Sequence, residues 1–172
     1  LPIFFWDQKG AAVGLAHAGW KGTHQKIAAK TAGRLKRLGV DPKNLRIVFG
    51  PAIRACCYEV GPEFAQRFEA RTLKKNSRGR FHFDLVLANR LQLIAAGVPA
   101  ANIRDLRLCT ACDTNTFFSF RRDPSSAGRM IHWISMGDEF VENYSDARLA
   151  EFLIEDKKDK SAIGSARKQL AL

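Results

Sequence analysis

Apolar residues open the chain in two runs, Leu1 to Trp6 and Ala11 to Ala16, separated by the polar stretch Asp7-Gln8-Lys9-Gly10. This pattern predicts a hairpin of two buried strands over residues 1 to 17, turning at Asp7 to Gly10. From Thr23, a residue suited to capping, a helix is expected to run to about Leu38. Ile27, Leu35 and Leu38 lie on its core side and Lys26, Lys30, Arg34 and Arg37 on its solvent side, and Gly39 ends it. Residues 44 to 50, N-L-R-I-V-F-G, read as a third strand, stopped by Pro51. A loop then leads to a short helix from Pro62 to about Ala70, and the basic, turn-rich residues 72 to 80 read as an exposed loop. Asp84 caps a helix carrying Leu85, Leu87, Ala88, Leu91, Ile94 and Ala95, which ends at Gly97. Strands are expected over Ile103 to Leu108 and Gly128 to Ser135. Strands and helices alternate, so the prediction is a layered α/β domain over residues 1 to 135. Residues 136 to 172 turn polar and then rich in Lys, Ser and Ala. They read as an appendage with one short amphipathic helix over Asp146 to Ile154.

Composition narrows the class. The 172 residues are 46% hydrophobic, enough for a sizeable core. No apolar run approaches the roughly 20 residues that span a bilayer, and the first residues lack the basic start of a signal peptide, so a cytoplasmic location is expected. The 28 basic and 17 acidic side chains leave a net charge of +11, which favours anionic ligands such as phosphates and nucleotides. Basic residues cluster modestly at Arg71, Lys74, Lys75, Arg78 and Arg80, while Lys157, Lys158 and Lys160 alternate with Glu155, Asp156 and Asp159. Such scatter reads as solvated surface rather than a nucleic-acid groove.

Candidate chemistry concentrates in V-G-L-A-H-A-G-W-K-G, residues 13 to 22, where His17 ends a strand and enters a glycine-punctuated turn. An imidazole there can bind a metal or move a proton near neutral pH, or it can be a core histidine with one satisfied hydrogen bond. The four cysteines form an adjacent pair, Cys56 and Cys57, and a C-x-x-C, Cys109 and Cys112. In a reducing compartment they are expected as thiols. An adjacent pair is a poorer chelate than C-x-x-C, so a four-cysteine zinc site is not expected.

Four blocks occur in order: H-A-G-W-K-G at 17 to 22, G-P-A-I-R-A-C-C-Y-E-V-G at 50 to 61, D-L-V-L-A-N-R-L-Q-L at 84 to 93, and C-T-A-C-D-T-N-T-F-F-S-F-R-R-D with G-R-M at 109 to 130. Together they resemble the laccase-domain family, also called the YfiH or peptidoglycan-editing-factor family and formerly multicopper polyphenol oxidases. The resemblance implies a layered mixed-sheet α/β domain of the YfiH/CNF-like type, lacking its N-terminal part, in a cytoplasmic protein. It implies zinc, with copper also possible, held by two histidines and a cysteine. The implied substrates are a purine nucleoside and phosphate: phosphorolysis of adenosine, inosine and methylthioadenosine, and deamination of adenosine. Some bacterial members are linked to peptidoglycan precursor fidelity.

Carried over residue by residue, His17 matches the histidine of the H-A-G-W block, as metal ligand and catalytic residue. The other two implied ligands precede the L-P-I run and have no counterpart here, so the metal site is expected to be incomplete and the chain alone impaired. Lys21, Arg121 and Arg122 are the expected substrate-binding residues, by supplying positive charge for phosphate. Arg121 and Arg122 have an alternative as structural ion-pair partners of Asp123 or Asp84. Arg54 and Ala55 replace the family's usual G-P, which places a bulky cation in a loop. Two rival functions remain: a non-enzymatic basic module binding a partner, nucleotide or RNA, and copper-dependent phenol oxidation. The second is poorly served by a chain with only His17, His24, His82 and His132.

Overall fold

Alternation in the first apolar run is realised as strand β1 (Pro2–Asp7), in which Ile3 and Phe5 are completely buried. In the computed structural model, which describes residues 1–136, β1 pairs antiparallel with β2 (Val13–His17), so that Ile3 faces Ala16 and Pro2 faces His17. Gly10, at φ 75°, closes the turn by donating its N–H to the Asp7 carbonyl at 2.9 Å. The hairpin forms where the pattern predicts it, but only β1 is a buried strand: β2 lies at the edge of its sheet, with Ala16 buried and Leu15 39% exposed.

The helix expected from Thr23 is instead two helices, α1 (Trp20–His24) and α2 (Ile27–Arg37). Lys26 sits at φ 60° between them and breaks the path. Thr23 is no cap. It lies inside α1, fully buried, and its hydroxyl is claimed by a tertiary partner described below. The inner face of α2 is Ala28, Ala32 and Leu35, whereas Leu38 is 62% exposed beyond the last turn. Gly39, at φ 95°, ends the element.

Strand β3 (Leu45–Phe49) runs antiparallel to β1, with Phe5 opposite Ile47 and Ile3 opposite Phe49. The chain then leaves this sheet to build a small antiparallel one from β4 (Glu59–Val60), β5 (Leu73–Lys75) and β6 (Phe81–Phe83), in the order β4-β6-β5. Residues 72 to 80 are thus largely a hairpin arm rather than a loop. The Asn76 side-chain oxygen accepts from the N–H groups of Arg78 and Arg80, both at 3.0 Å, and fixes the turn. Instead of one helix from Pro62 to Ala70, two short 3-10 turns form, Pro62–Gln66 and Ala70–Thr72. Phe64 and Phe68 come from the first of these and the bend after it, and both pack on Phe83.

Helix α3 (Leu85–Ala95) starts as predicted, with the Asp84 carboxylate accepting the Leu87 N–H at 2.8 Å, and Gly97 at φ 93° follows its end. Asn89 is completely buried; its amide donates to Thr23 Oγ1 and to the Leu85 carbonyl, both at 2.8 Å, while Gln92 donates to the Thr23 carbonyl at 2.7 Å. These bonds lock α1 to α3. Strand β7 (Ile103–Asp105) then returns parallel to β3, completing a mixed sheet of order β2-β1-β3-β7. It stops short of Leu108 because Arg107 adopts φ 57°. The strand expected over Gly128 to Ser135 is absent: residues 128–136 join neither sheet among the described residues, and Ile131 is 88% exposed. The appendage and its expected helix over 146–154 lie outside the described residues, Met136 excepted.

Gly50 shows how closely the central strands approach. A Cβ at this position would lie 2.7 Å from Pro2 Cγ and 3.2 Å from Phe4 Cε2. The proline ring is rigid and belongs to β1, so it has little room to give. Gly50→Ala is expected to cost about 1–3 kcal/mol in urea unfolding, and an unchanged unfolding midpoint would show that β1 yields at no cost.

Candidate functional site

Two groups of chemistry-bearing side chains stand at strand ends. The first is at His17, the last residue of β2. The following residue, Ala18, donates its N–H to the Leu1 carbonyl at 2.7 Å and carries the hairpin pairing into the turn. A side chain at Gly19 would start 3.8 Å from His17 Nε2, so glycine there leaves that nitrogen an open flank. Partial desolvation holds the His17 imidazole, itself exposed at the strand end, below the ordinary histidine value.

His132 lies alongside, a residue the sequence pattern placed on a strand and not in a site. Its ring meets Phe4 edge-on at 6.2 Å, and its Nδ1 is buried without a hydrogen-bond partner. Burial, and to a smaller extent His17, hold His132 below its ordinary value, which places the two imidazoles within electrostatic reach of each other. Lys21, on α1, has its ammonium 5.6 Å from the Trp20 ring centroid. Trp20 itself leans on Phe64 at 5.5 Å and carries Arg67 on the same ring at 5.3 Å.

Arg121 and Arg122, adjacent in sequence, go to different places. Arg121 stacks over Tyr58 at 5.1 Å and donates to the Glu59 carbonyl at 2.6 Å. Arg122 turns its fork on its own neighbourhood: Nε bonds Asp123 at 2.8 Å, and the two terminal nitrogens donate to the carbonyls of Thr110 and Phe117, each at 2.9 Å. This is the structural alternative for Arg122. It holds the loop that carries Cys109 and Cys112.

The second group is that loop together with the one after β3. The parallel pairing of β3 and β7 continues past both strands as a bridge between Ala52 and Cys109. Ala52 donates to the Leu108 carbonyl at 3.2 Å, and Thr110 donates back to the Ala52 carbonyl at 3.1 Å. Beyond Ala52 the chain coils tightly, with the N–H groups of Cys57 and Tyr58 both donating to the Arg54 carbonyl, at 2.9 and 2.8 Å. Cys56 Sγ lies 3.7 Å from Cys109 Sγ and 3.5 Å from Cys112 Sγ, and Cys57 Sγ is 3.3 Å from Cys112 Sγ. All four sulfurs fall within 4.8 Å of one another. Sequence spacing missed this because it scored the adjacent pair as a weak chelate, whereas the coil after Ala52 turns both side chains to one side.

The electrostatics of the four thiols are uneven. Burial works to raise Cys109, but the backbone N–H groups of Cys112, Arg54 and Ala111 outweigh it and bring that thiol down to about 7. Burial and then the contact with Cys112 push Cys56 up to about 11, and the contact with Cys112 followed by burial raises Cys57. Around them the loops are tied down. His82 Nδ1 donates to the Ala55 carbonyl at 2.7 Å. Arg54, far from intruding on a pocket, forks onto Asp105 at 2.7 and 2.5 Å, with side-chain exposures of 19% and 18%.

The chain resembles known proteins along most of the described length. A family model described as multi-copper polyphenol oxidoreductase laccase matches residues 1–137. A purine nucleoside phosphorylase YlmD from Geobacillus stearothermophilus is 38% identical over 150 residues, 82% of this chain and 54% of the relative. Adenosine deaminase RL5, from an unknown prokaryotic organism, is 37% identical over 136 residues, 75% of this chain and 52% of the relative. The crystal structure of hypothetical protein YfiH from Bacillus licheniformis superposes with a TM-score of 0.68 at 37% identity, covering 72% of this chain and 49% of that one. The chain thus spans about half the length of the relatives it matches.

Burial works to raise the Asp105 carboxyl, but the Arg54 fork and the Arg107 N–H overcome it and hold the acid below its ordinary value. The ion pair therefore stabilises the fold above about pH 4, and its contribution is lost as the pH falls through the lowered value. Asp105→Asn is expected to cost about 1–3 kcal/mol at pH 7, and the gap to the parent chain should close in acid. Urea titrations at both pH values check this, and a gap that is constant with pH would exclude the ionic origin.

Proposed function

The chain belongs to the multi-copper polyphenol oxidoreductase laccase family, and on that premise we propose that the His17 end of β2 forms part of a site where a purine nucleoside is cleaved by phosphate. The observation that carries this reading is His17 itself, exposed at a strand end and flanked by Gly19 with His132 beside it. Relatives named purine nucleoside phosphorylase and adenosine deaminase point to nucleosides over phenols. A cluster of histidines for several copper ions is not built here among the described residues. His24 is turned to the Arg67 carbonyl at 3.3 Å and His82 to that of Ala55.

Zinc is the metal the family resemblance implies at His17. The fit is incomplete. Among the described residues the group of three or more ligating side chains close enough to share an ion is the four cysteines, and His17 and His132 find no third donor.

In phosphorolysis a phosphate oxygen bonds to C1′ of the ribose as the bond from C1′ to the purine nitrogen breaks, and the electron pair leaves with the base. Positive charge develops on the sugar, and the approaching phosphate must be held against it. Lys21, at the start of the helix that follows His17, supplies a point charge, and Arg121 a planar fork beside Tyr58. A neutral imidazole can take or return one proton on phosphate or nucleoside, a contribution of roughly 10²–10⁴ in rate. Arg122 acts at one remove, by fixing the loop next to Arg121. Adenosine, inosine and methylthioadenosine share the bond that is cleaved, and deamination of adenosine is a second activity proposed for the same site.

The test is chromatography of hypoxanthine released from inosine and phosphate, with inosine formed from adenosine as the second readout. In a polypeptide of full family length carrying these residues, His17→Ala should lower kcat/KM by about 100-fold or more, and Lys21→Ala should raise the KM for phosphate. The 172 residues alone, offering His17 without the rest of the implied ligand set, should stay at background. Full activity in the His17→Ala protein would reject the assignment.

A further inference from the structure

From the four-cysteine cluster we infer a second metal centre, separate from the His17 site: Cys56, Cys57, Cys109 and Cys112 bind one zinc ion as a closed, structural tetrahedral thiolate site. Four sulfurs bonded to Zn²⁺ at about 2.3 Å in a tetrahedron lie about 3.8 Å apart. The separations here, 3.3, 3.5 and 3.7 Å with none beyond 4.8 Å, bracket that edge before any ion draws them in. They are far from the roughly 2.05 Å of a disulfide.

Two features beyond distance point to a cation. The Asp113 N–H donates to the Cys109 carbonyl at 3.1 Å, so the C-x-x-C segment is already folded as a turn, and the bridge from Ala52 to Cys109 holds the opposite loop against it. Four thiolates around one Zn²⁺ carry a net charge of −2, and the Arg54 guanidinium lies within electrostatic reach of Cys109 to offset part of it. Binding is balanced by proton release: four S–H bonds break, four Zn–S bonds form, and as many as four protons pass to solvent with no change of oxidation state. A full set of protein ligands leaves no position for water, so the ion joins the loops after β3 and β7 instead of performing chemistry.

The experiment uses the whole chain, produced with added zinc and passed through a desalting column under reducing conditions. Elemental analysis should find one zinc per chain, and replacement by Co²⁺ should give the intense visible bands of a tetrahedral cobalt site together with sulfur-to-cobalt charge transfer. His17→Ala should keep the full equivalent. Cys109→Ser/Cys112→Ser should lose it, and a strong chelator should lower the thermal midpoint of the parent chain without any substitution. Less than a tenth of an equivalent of zinc, an octahedral cobalt spectrum, or loss of the metal on His17→Ala but not on the double cysteine change would overturn the site. Because the cobalt spectrum and chelator response are read on the parent chain, failure of a cysteine variant to fold does not blunt the test.

Discussion

The pairing of β3 with neighbours of opposite sense governs this domain. It is antiparallel to β1 on one side and parallel to β7 on the other, and Leu45, Ile47 and Phe49 are fully buried between them. An antiparallel neighbour can be reached through a short turn, but a parallel one requires the chain to cross back over the sheet. Residues 50 to 102 make that crossing, and within them lie the small sheet and α3. The carboxyl ends of two parallel strands consequently emerge side by side, the position where open α/β sheets place their ligand sites. A slip of one residue in the Ile47 to Ile103 register would part Ala52 from Cys109 and separate the two cysteine loops.

The same crossing builds the support for the His17 end. Asn89 and Gln92, on the return helix, reach across to the hydroxyl and carbonyl of Thr23. Those bonds set α1 immediately after the turn that leaves His17, and α1 carries Trp20 and Lys21. A buried amide left unpaired would cost about 1–3 kcal/mol, so the polar lock selects one arrangement of α1 over the alternatives that a purely apolar contact would tolerate. Strand ends on one side and a hydrogen-bonded helix pair on the other therefore hold two separate groups of side chains in place.

Much of this was legible in the pattern of residues, and the parts that were not share a cause. The hairpin of β1 and β2, strand β3 and the Asp84 cap of α3 are local: alternation, a capping carboxylate and a terminal glycine act within a few residues. Thr23 was misread because its hydroxyl answers to Asn89, 66 positions away. The β5 arm hid in a basic stretch because three residues are too few for alternation to register, and the Gly128 to Ser135 segment has the composition of a strand but joins no sheet among the described residues. The family resemblance found His17 from its block. It could not find His132, whose relation to His17 depends on how an extended segment lies against Phe4.

The cysteine cluster is the sharpest case, because spacing along the chain argued against what the fold assembles. Chelate geometry is usually judged within one loop, and by that measure Cys56 and Cys57 are too close. The relevant frame is the pair of loops. Arg54 draws the first loop down through Asp105, Arg122 gathers the second through the carbonyls of Thr110 and Phe117, and the bridge from Ala52 to Cys109 aligns them. Cys56 and Cys112 are exposed, and between Arg107 and Thr116 only Thr110 is buried. Apolar burial is therefore too sparse to hold this corner, and ion pairs and backbone bonds do so in its place. A corner whose outer side is secured mainly by polar contacts is one where a cross-link through a metal adds most, since it joins the exposed turns of two loops that the core holds only at Ala52, Tyr58 and Phe117.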